Sequence, residues 1–257
     1  MRLSVGTSGF SYAEWRGPFY PETLPASGML AFYAGRLPAV EINNTFYRMP
    51  KRSVLEGWAG QVPEAFRFAV KASQRITHQK RLKDAGDETR YLLDVSQVLG
   101  ARLGVLLFQL PPNLKLDLDR LDRFLELLPE HTRAAFEFRH PSWLDPAVLE
   151  RLRARTFAWV VNDDAEAEPP DFLVTAPWAY VRLRREAYPR EALAAWAARI
   201  RARELDEAFV FFKHEDAGAG PRLAAEFCEV FERAAARRGP RAAAAAAPEV
   251  EREREAG

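Results

Sequence analysis

A chain of 257 residues suits one large domain or two small ones, and it is the usual length of an eight-stranded α/β barrel. With 48% hydrophobic and 28% charged residues and a net charge of +1, it has an ordinary globular composition and no whole-molecule field to attract nucleic acid or an anionic membrane. The lone cysteine, Cys228, excludes an internal disulfide framework and reads as a small buried hydrophobe in an apolar helix. The opening stretch MRLSVGTSGF has no signal-peptide apolar region and no segment approaches a membrane span, so a cytoplasmic protein without a membrane partner is expected.

In chain order, short apolar or alternating runs recur: RLSVGTS (2–8), AVEINNTF (39–46), RFAVKA (67–72) and LGVLLFQL (103–110), then RAAFEFRH (133–140), AWVVNDD (158–164), AYVRLRR (179–185) and EAFVFFKH (207–214). Helical patterns fill most of the gaps between them, among them SVLEGWAG, TRYLLDVSQVLG and REALAAWAARIRAR. In SWLDPAVLE, Asp145 followed by Pro146 reads as an N-cap with proline at the first helical position. Strands alternating with helices imply a parallel sheet, and eight such units imply one closed (β/α)8 barrel of TIM type over residues 1–238. Between the sixth and seventh strands, AEAEPPDFLVTAP has three prolines, so a short or missing helix is expected there. Residues 239–257 are low complexity with almost nothing to bury, and read as a disordered tail.

In such a barrel, alternate residues of each strand face the helices or the axis, and the larger hydrophobes take the helix side. This sorting turns Ser4, Gly6 and Ser8 inward from the first strand, Glu41, Asn43 and Thr45 from the second, Ala69 and Lys71 from the third, and Gln109 from the fourth. The fifth strand adds Glu137 and Arg139, the sixth Asp163, the seventh Tyr180, Arg182 and Arg184, and the eighth either Lys213 or His214. An unpaired buried charge costs several kcal/mol, so these groups must either pair with one another or line a polar pocket at the C-terminal mouth, where barrel active sites lie. The tally leans positive, with Lys71, Arg139, Arg182 and Arg184 against Glu41, Glu137 and Asp163. A phosphate or carboxylate ligand would balance it, and the planar guanidinium fork suits such groups.

Two loops would border that mouth. GFSYAEWRGPFYPETLP carries Tyr12, Trp15, Phe19 and Tyr20, and is either a lid that stacks on a sugar or base or an aromatic cluster packed on the rim. SQRITHQKRLKD places His78 among Arg75, Lys80, Arg81 and Lys83, as either a phosphate-binding loop with a catalytic histidine or a solvated helix start. Metal ligation has little to draw on. Of four histidines, His78, His140 and His214 fall near the mouth without close ligand spacing, leaving room for a single divalent ion and not for a multinuclear zinc cluster. No Walker loop, GxGxxG, GxSxG or CxxC motif occurs.

The motifs GTSGFSYAEWRGPFYP (6–21), VEINNTFYRMP (40–50), FAVKASQRITH (68–78), FEFRHPSW (136–143) and YVRL (180–183) stand in an order that resembles the YecE-like family, also called domain of unknown function 72. The resemblance runs from about residue 2 to about residue 235. It implies a TIM-type barrel of no established activity, similar to barrels that act on sugars or on abasic DNA with metals. The family's motif positions here are Gly6, Ser8, Trp15, Tyr20, Glu41, Asn43, Thr45, Phe46 and Tyr47. They continue with Lys71, Thr77, His78, Glu137, Arg139, His140, Trp143, Asp163 and Arg182. The chain departs from the family pattern in having Arg184-Arg185 after RL, a charged Lys213-His214-Glu215-Asp216 ending to the eighth strand, and Phe10 where tryptophan is common.

Together these readings lead to an expected enzyme acting on a small phosphorylated or carboxylated, sugar-like substrate, of lyase, isomerase or hydrolase type. Glu137, Glu41, His78 and Asp163 are the expected catalytic groups. The expected substrate contacts are Ser8, Tyr12, Trp15, Asn43, Thr45, Tyr47, Lys71, Gln109, Arg139, His140, Trp143, Arg182 and Arg184. A nucleic-acid-processing protein gripping its ligand with the RITHQKRLK loop, and a non-catalytic ligand sensor, stay open as alternatives.

Overall fold

The computed structural model describes residues 1–164, 171–185, 187–213 and 216–236. Eight parallel strands close into a barrel in sequence order, β8 pairing back onto β1: β1 (Arg2–Ser8), β2 (Ala39–Ile42), β3 (Arg67–Lys71), β4 (Leu103–Gln109), β5 (Ala134–Glu137), β6 (Ala158–Asp163), β7 (Trp178–Leu183) and β8 (Glu207–Phe212). The chain is thus a (β/α)8 barrel, each strand beginning within a residue of its apolar run. Around it lie α1 (Met29–Ala34), α2 (Asn44–Tyr47), α3 (Arg52–Ala59), α4 (Gly86–Ser96), α5 (Leu118–Leu125), α6 (Pro146–Ala154), α7 (Arg190–Arg201) and α8 (Ala219–Ala236). The Asp145 carboxylate accepts from Ala147 N at the start of α6, and Asp117 caps α5 in the same way. Among the described residues no helix separates β6 from β7, and none is long and apolar enough to cross a membrane. The tail at 239–257 and His214 lie outside the described residues.

Two strands end sooner than their sequence pattern suggests. β2 stops at Ile42, where Asn43 turns to φ −99°, ψ −23° and leads into α2. Thr45 Oγ1 then donates to Ile42 O (3.1 Å) and Lys71 O (2.7 Å), a side-chain-to-backbone alternative to continuing the ladder. β5 stops at Glu137, and only Ala135 and Phe136 register against β6. Beyond that point the two strands part, and a groove opens between them.

The core has two layers. Leu, Val, Ile and Phe side chains on the outer strand faces pack against the helices, whereas the inner face holds Ala39, Ala69, Ala135 and Ala158 together with Trp178, Tyr180, Phe209 and Phe211. The large rings come from β7 and β8 and the alanines from β2, β3, β5 and β6, so small side chains leave room inside the barrel for large ones. At the N-terminal end, Ser4 donates to Glu207 (3.0 Å) and Arg133 pairs with the same carboxylate (2.9 Å), which satisfies a buried charge the sequence sorting did not register. The polar residues of the inner face collect at the opposite, C-terminal end.

Candidate functional site

The strand alternation that buries Val40 and Ile42 against the helices turns Glu41 into the barrel. In the same way Ala135 and Glu137, Ala69 and Lys71, and Tyr180 and Arg182 share inner faces. Arg182 is the hub. Its Nη2 donates to Glu41 Oε1 (2.8 Å) and its Nη1 to Glu137 Oε2 (2.5 Å), with all three side chains buried. Glu41 also accepts from Ser8 Oγ (2.8 Å), Asn43 Nδ2 (3.1 Å) and Tyr180 Oη (2.7 Å). Glu137 accepts from Gln109 Nε2 (2.7 Å) and from Arg139 Nε (2.8 Å), which reaches back to it from beyond the end of β5.

Burial alone would raise both carboxyl pKa values. The Arg182 charge outweighs it at Glu41, helped by the Tyr180 and Ser8 hydrogen bonds, and holds that group below the usual range. At Glu137 the charges of Arg182 and Arg139 and the bond from Gln109 do the same and bring it to about 2. Arg182 is correspondingly held more firmly protonated than usual, burial being overcome by the two carboxylates.

Lys71 differs from these groups. It is 9% exposed, yet forms no ion pair among the described residues, and its Nζ lies 4.2 Å from the centroid of the Phe46 ring. Burial and then the Arg182 charge lower its pKa to about 8, against the pull of Glu41 and Glu137. The same Phe46 ring meets His78 edge to face, centroids 4.9 Å apart. His78 stands in a single π-helical turn, Arg75–Gln79, with Nδ1 2.9 Å from Thr77 Oγ1. Burial and the charges of Lys71, Arg139 and Arg81 lower its pKa, so its ring is neutral at neutral pH. Left-handed backbone at Arg81 (φ 51°), Leu82 (φ 66°) and Asp84 (φ 50°) follows, a concentration of strain of the kind that clusters at functional sites. Half-buried Arg184 shares the field of Arg182, Glu137, Glu41 and Arg139 and has a lowered pKa from burial first and Arg182 second. Arg182 Nε and Asn43 Oδ1 are buried with no hydrogen-bond partner among the described residues.

Several expected site residues lie elsewhere. Asp163 is on the outer face of β6 beside Val161, where it accepts from Arg185 Nε (2.7 Å), Trp196 Nε1 (2.9 Å) and Tyr188 Oη (3.0 Å). The size rule that sorts the other strands gives this result too, because Trp159 and Val161 share its parity, and the inner-face residue is Asn162. Trp15 and Trp143 have no exposed surface and offer no face to a ligand. Trp143 Nε1 donates to Leu114 O (2.7 Å), and Trp15 packs with Phe19 (5.9 Å) and Tyr20 (6.2 Å), so the aromatic loop is a packed rim cluster. Tyr12 is half-buried and donates to Ser8 O, Thr45 is tied to backbone, His140 Nδ1 caps the turn at Ser142, and Tyr47 is 75% exposed. Lys80 is engaged by Glu88 (2.8 Å) and Asp84 O (2.7 Å), which removes one cation from the basic loop.

The sequence reading missed the groove where β5 and β6 part. It measures about 380 Å³ and is lined by Pro112, Phe138, Arg139, Trp159, Asn162 and Asp164 among others, so Arg139 borders both the groove and the Glu137 cluster. Nothing in the alternation pattern marks a place where two strands stop pairing. Among the described residues, no group of three His, Cys, Asp or Glu side chains is arranged to hold a metal ion.

Comparison with known proteins agrees with this architecture. The chain is 34% identical over 112 residues to the UPF0759 protein YecE of Escherichia coli K12, an alignment covering 43% of this chain and 41% of that protein. It is 29% identical over 157 residues to the UPF0759 protein YunF of Bacillus subtilis, covering 58% and 55%. The matched regions thus span about half the length of these curated relatives. The crystal structure of a DUF72 family protein from Thermotoga maritima superposes with a TM-score of 0.75 at 28% identity, covering 90% of this chain and 100% of that one. A DUF72 family protein from Enterococcus faecalis shares the fold at 20% identity with a TM-score of 0.74, covering 90% and 95%. The model of the protein family of unknown function DUF72 matches residues 4–248, nearly the whole barrel and its polar mouth, and the chain belongs to that family.

Proposed function

We propose that the mouth of this barrel binds a small phosphorylated or carboxylated molecule, and that the protein is an enzyme acting on it. The observation that carries this reading is Lys71, a buried amine without an ion pair among the described residues, in a site already rich in guanidinium groups. With Asp163 on the outer face, the cations Lys71, Arg139, Arg182 and Arg184 face the carboxylates of Glu41 and Glu137 among the described inner-face residues, and Asp164 shares the groove with Arg139. Arg182 and Arg139 offset the two carboxylates, so Lys71 and Arg184 carry the surplus. An anion bound between them would recover part of the cost of burying the amine. The groove beside Arg139, with its Phe138 and Trp159 walls, suits the neutral body of such a molecule.

On this reading the catalytic roles are distributed differently from the sequence expectation. Glu41 and Glu137 are held ionised by their donors, so at neutral pH they anchor Arg182 and do not carry protons. Proton movement falls to Lys71 and His78, the two mouth groups whose pKa values shift toward or below the working range.

A thermal-shift panel of inorganic phosphate, sugar phosphates, short carboxylates and short DNA tests the reading on wild type, Arg184→Ala and Lys71→Met. A ligand at about 100 times its Kd adds roughly 2.7 kcal/mol, a rise of about 2–4 °C for a chain of this size. The expected result is a rise with one anion class that both variants abolish. A rise with DNA alone, or one that survives in both variants, would overturn the assignment.

A further inference from the structure

The following inference rests on the anion site proposed above. We propose that Lys71 is a nucleophile whose Nζ forms an imine with the carbonyl carbon of a small aldehyde or ketone bearing a carboxylate or phosphate. An amine used only to hold an anion would be served by any cation at the rim. Lys71 sits instead at the C-terminal end of β3, inside the barrel, with its Nζ against the face of Phe46 and no carboxylate of the described residues paired with it. Pairing would hold the proton on nitrogen. Here Glu41 and Glu137 are both engaged by Arg182, and they also accept from Ser8, Asn43, Tyr180, Gln109 and Arg139, while neither forms an ion pair with Lys71. At pH 7, an amine with a pKa near 8 has roughly two orders of magnitude more free base than a lysine at its ordinary value.

The chemistry is self-contained. The Nζ lone pair adds to the carbonyl carbon while the C=O π pair moves to oxygen, giving a carbinolamine once the nitrogen proton has passed to that oxygen. A proton passed to the hydroxyl expels water and leaves a protonated C=N bond, whose N–H proton returns to the donor, so amine plus carbonyl gives imine plus one water with no redox change. In this proposal His78 takes the proton the nitrogen sheds and returns it to the departing oxygen. His78 meets the same Phe46 ring that Lys71 Nζ contacts, centroids 4.9 Å apart, and it feels the Lys71 charge, which helps lower its pKa. The Thr77 hydroxyl fixes the ring through Nδ1, which leaves Nε2 for this traffic. Arg184 and the free nitrogens of Arg139 hold the anionic group, so the ligand's charge need not reprotonate the amine.

The test is reductive trapping. The protein is incubated with pyruvate or with glycolaldehyde phosphate in the presence of cyanoborohydride, then read by intact mass and peptide mapping. The expected product is one reduced adduct at Lys71, at least about tenfold above Lys51, Lys80, Lys83, Lys115 or Lys213, and suppressed by excess inorganic phosphate. Lys71→Arg should keep the phosphate-induced thermal shift but lose the adduct. A phosphate shift in wild type with no preferential adduct at Lys71 from either carbonyl overturns the imine and leaves the anion site standing. A Lys71 adduct that phosphate neither suppresses nor accompanies with a shift upholds the nucleophile and removes the anion site. Neither signal removes both.

Discussion

Arg182 Nη1 stands 2.5 Å from Glu137 Oε2, an ion pair closed off from water inside the barrel, and the same guanidinium reaches Glu41 through Nη2. One cation therefore holds two carboxylates from strands on different sides of the axis. This arrangement sets the charge of the whole mouth, because it consumes the acidic groups and leaves Lys71 without a partner among the described residues.

Removing that hub has a defined cost. Arg182→Met leaves two buried carboxylates uncompensated and is expected to lose about 3–5 kcal/mol of stability in urea denaturation. The triple variant Glu41→Gln, Glu137→Gln, Arg182→Met removes the charges together and should regain most of the loss. A single variant within about 1 kcal/mol of wild type would show that the cluster does not support the barrel.

Acid should undo the same cluster. The Glu137 carboxyl goes from 4.5 when unfolded to about 2 in the fold, so between those values the unfolded chain binds more protons. Its stabilising contribution is complete above 4.5 and is lost as the pH falls toward 2, at up to about 1.4 kcal/mol per pH unit for this one group. Glu41 shifts in the same direction and adds to the slope. Urea midpoints between pH 6 and pH 3 should fall steeply in wild type and less steeply in Glu137→Gln; equal slopes would contradict the assignment.

Asp163 and Arg184 should separate stability from binding. Asp163→Asn removes the ion pair with Arg185 on the helix side of β6 and disturbs the bonds from Trp196 and Tyr188. It is expected to cost about 1–3 kcal/mol while leaving the anion-induced shift intact. Arg184→Ala should change stability by no more than about 0.5 kcal/mol and abolish that shift. The reverse pattern would put Asp163 back among the ligand-binding groups.

Two glycines should respond in opposite senses. A Cβ on Gly6 would lie 1.8 Å from Ala39 O, a backbone atom of the paired strand, so Gly6→Ala is expected to cost about 3 kcal/mol or more. Nothing lies within 4 Å of a Cβ built on Gly57, in α3, and Gly57→Ala should stabilise by about 0.4–1 kcal/mol. Thermal denaturation of the pair decides this, and a neutral Gly6→Ala would mean that β1 and β2 can move apart.

The sequence by itself determined the barrel, because strand and helix periodicities are local properties that survive without knowledge of contacts. It also determined which faces of β2, β3, β5 and β7 look inward, since Val40, Val70, Phe136 and Val181 are too apolar to face a polar interior, and so it found Glu41, Lys71, Glu137 and Arg182. Tertiary structure alone decided who pairs with whom. Arg182 could have met either glutamate, and only barrel closure brings both within reach and leaves Lys71 beside Phe46. It also decided that Trp15 and Trp143 are packed away, that β5 and β6 part to form a groove, and that a π-helical turn brings His78 against the Phe46 ring that Lys71 also contacts. Each of these depends on distances between residues far apart in the chain, which periodicity does not encode.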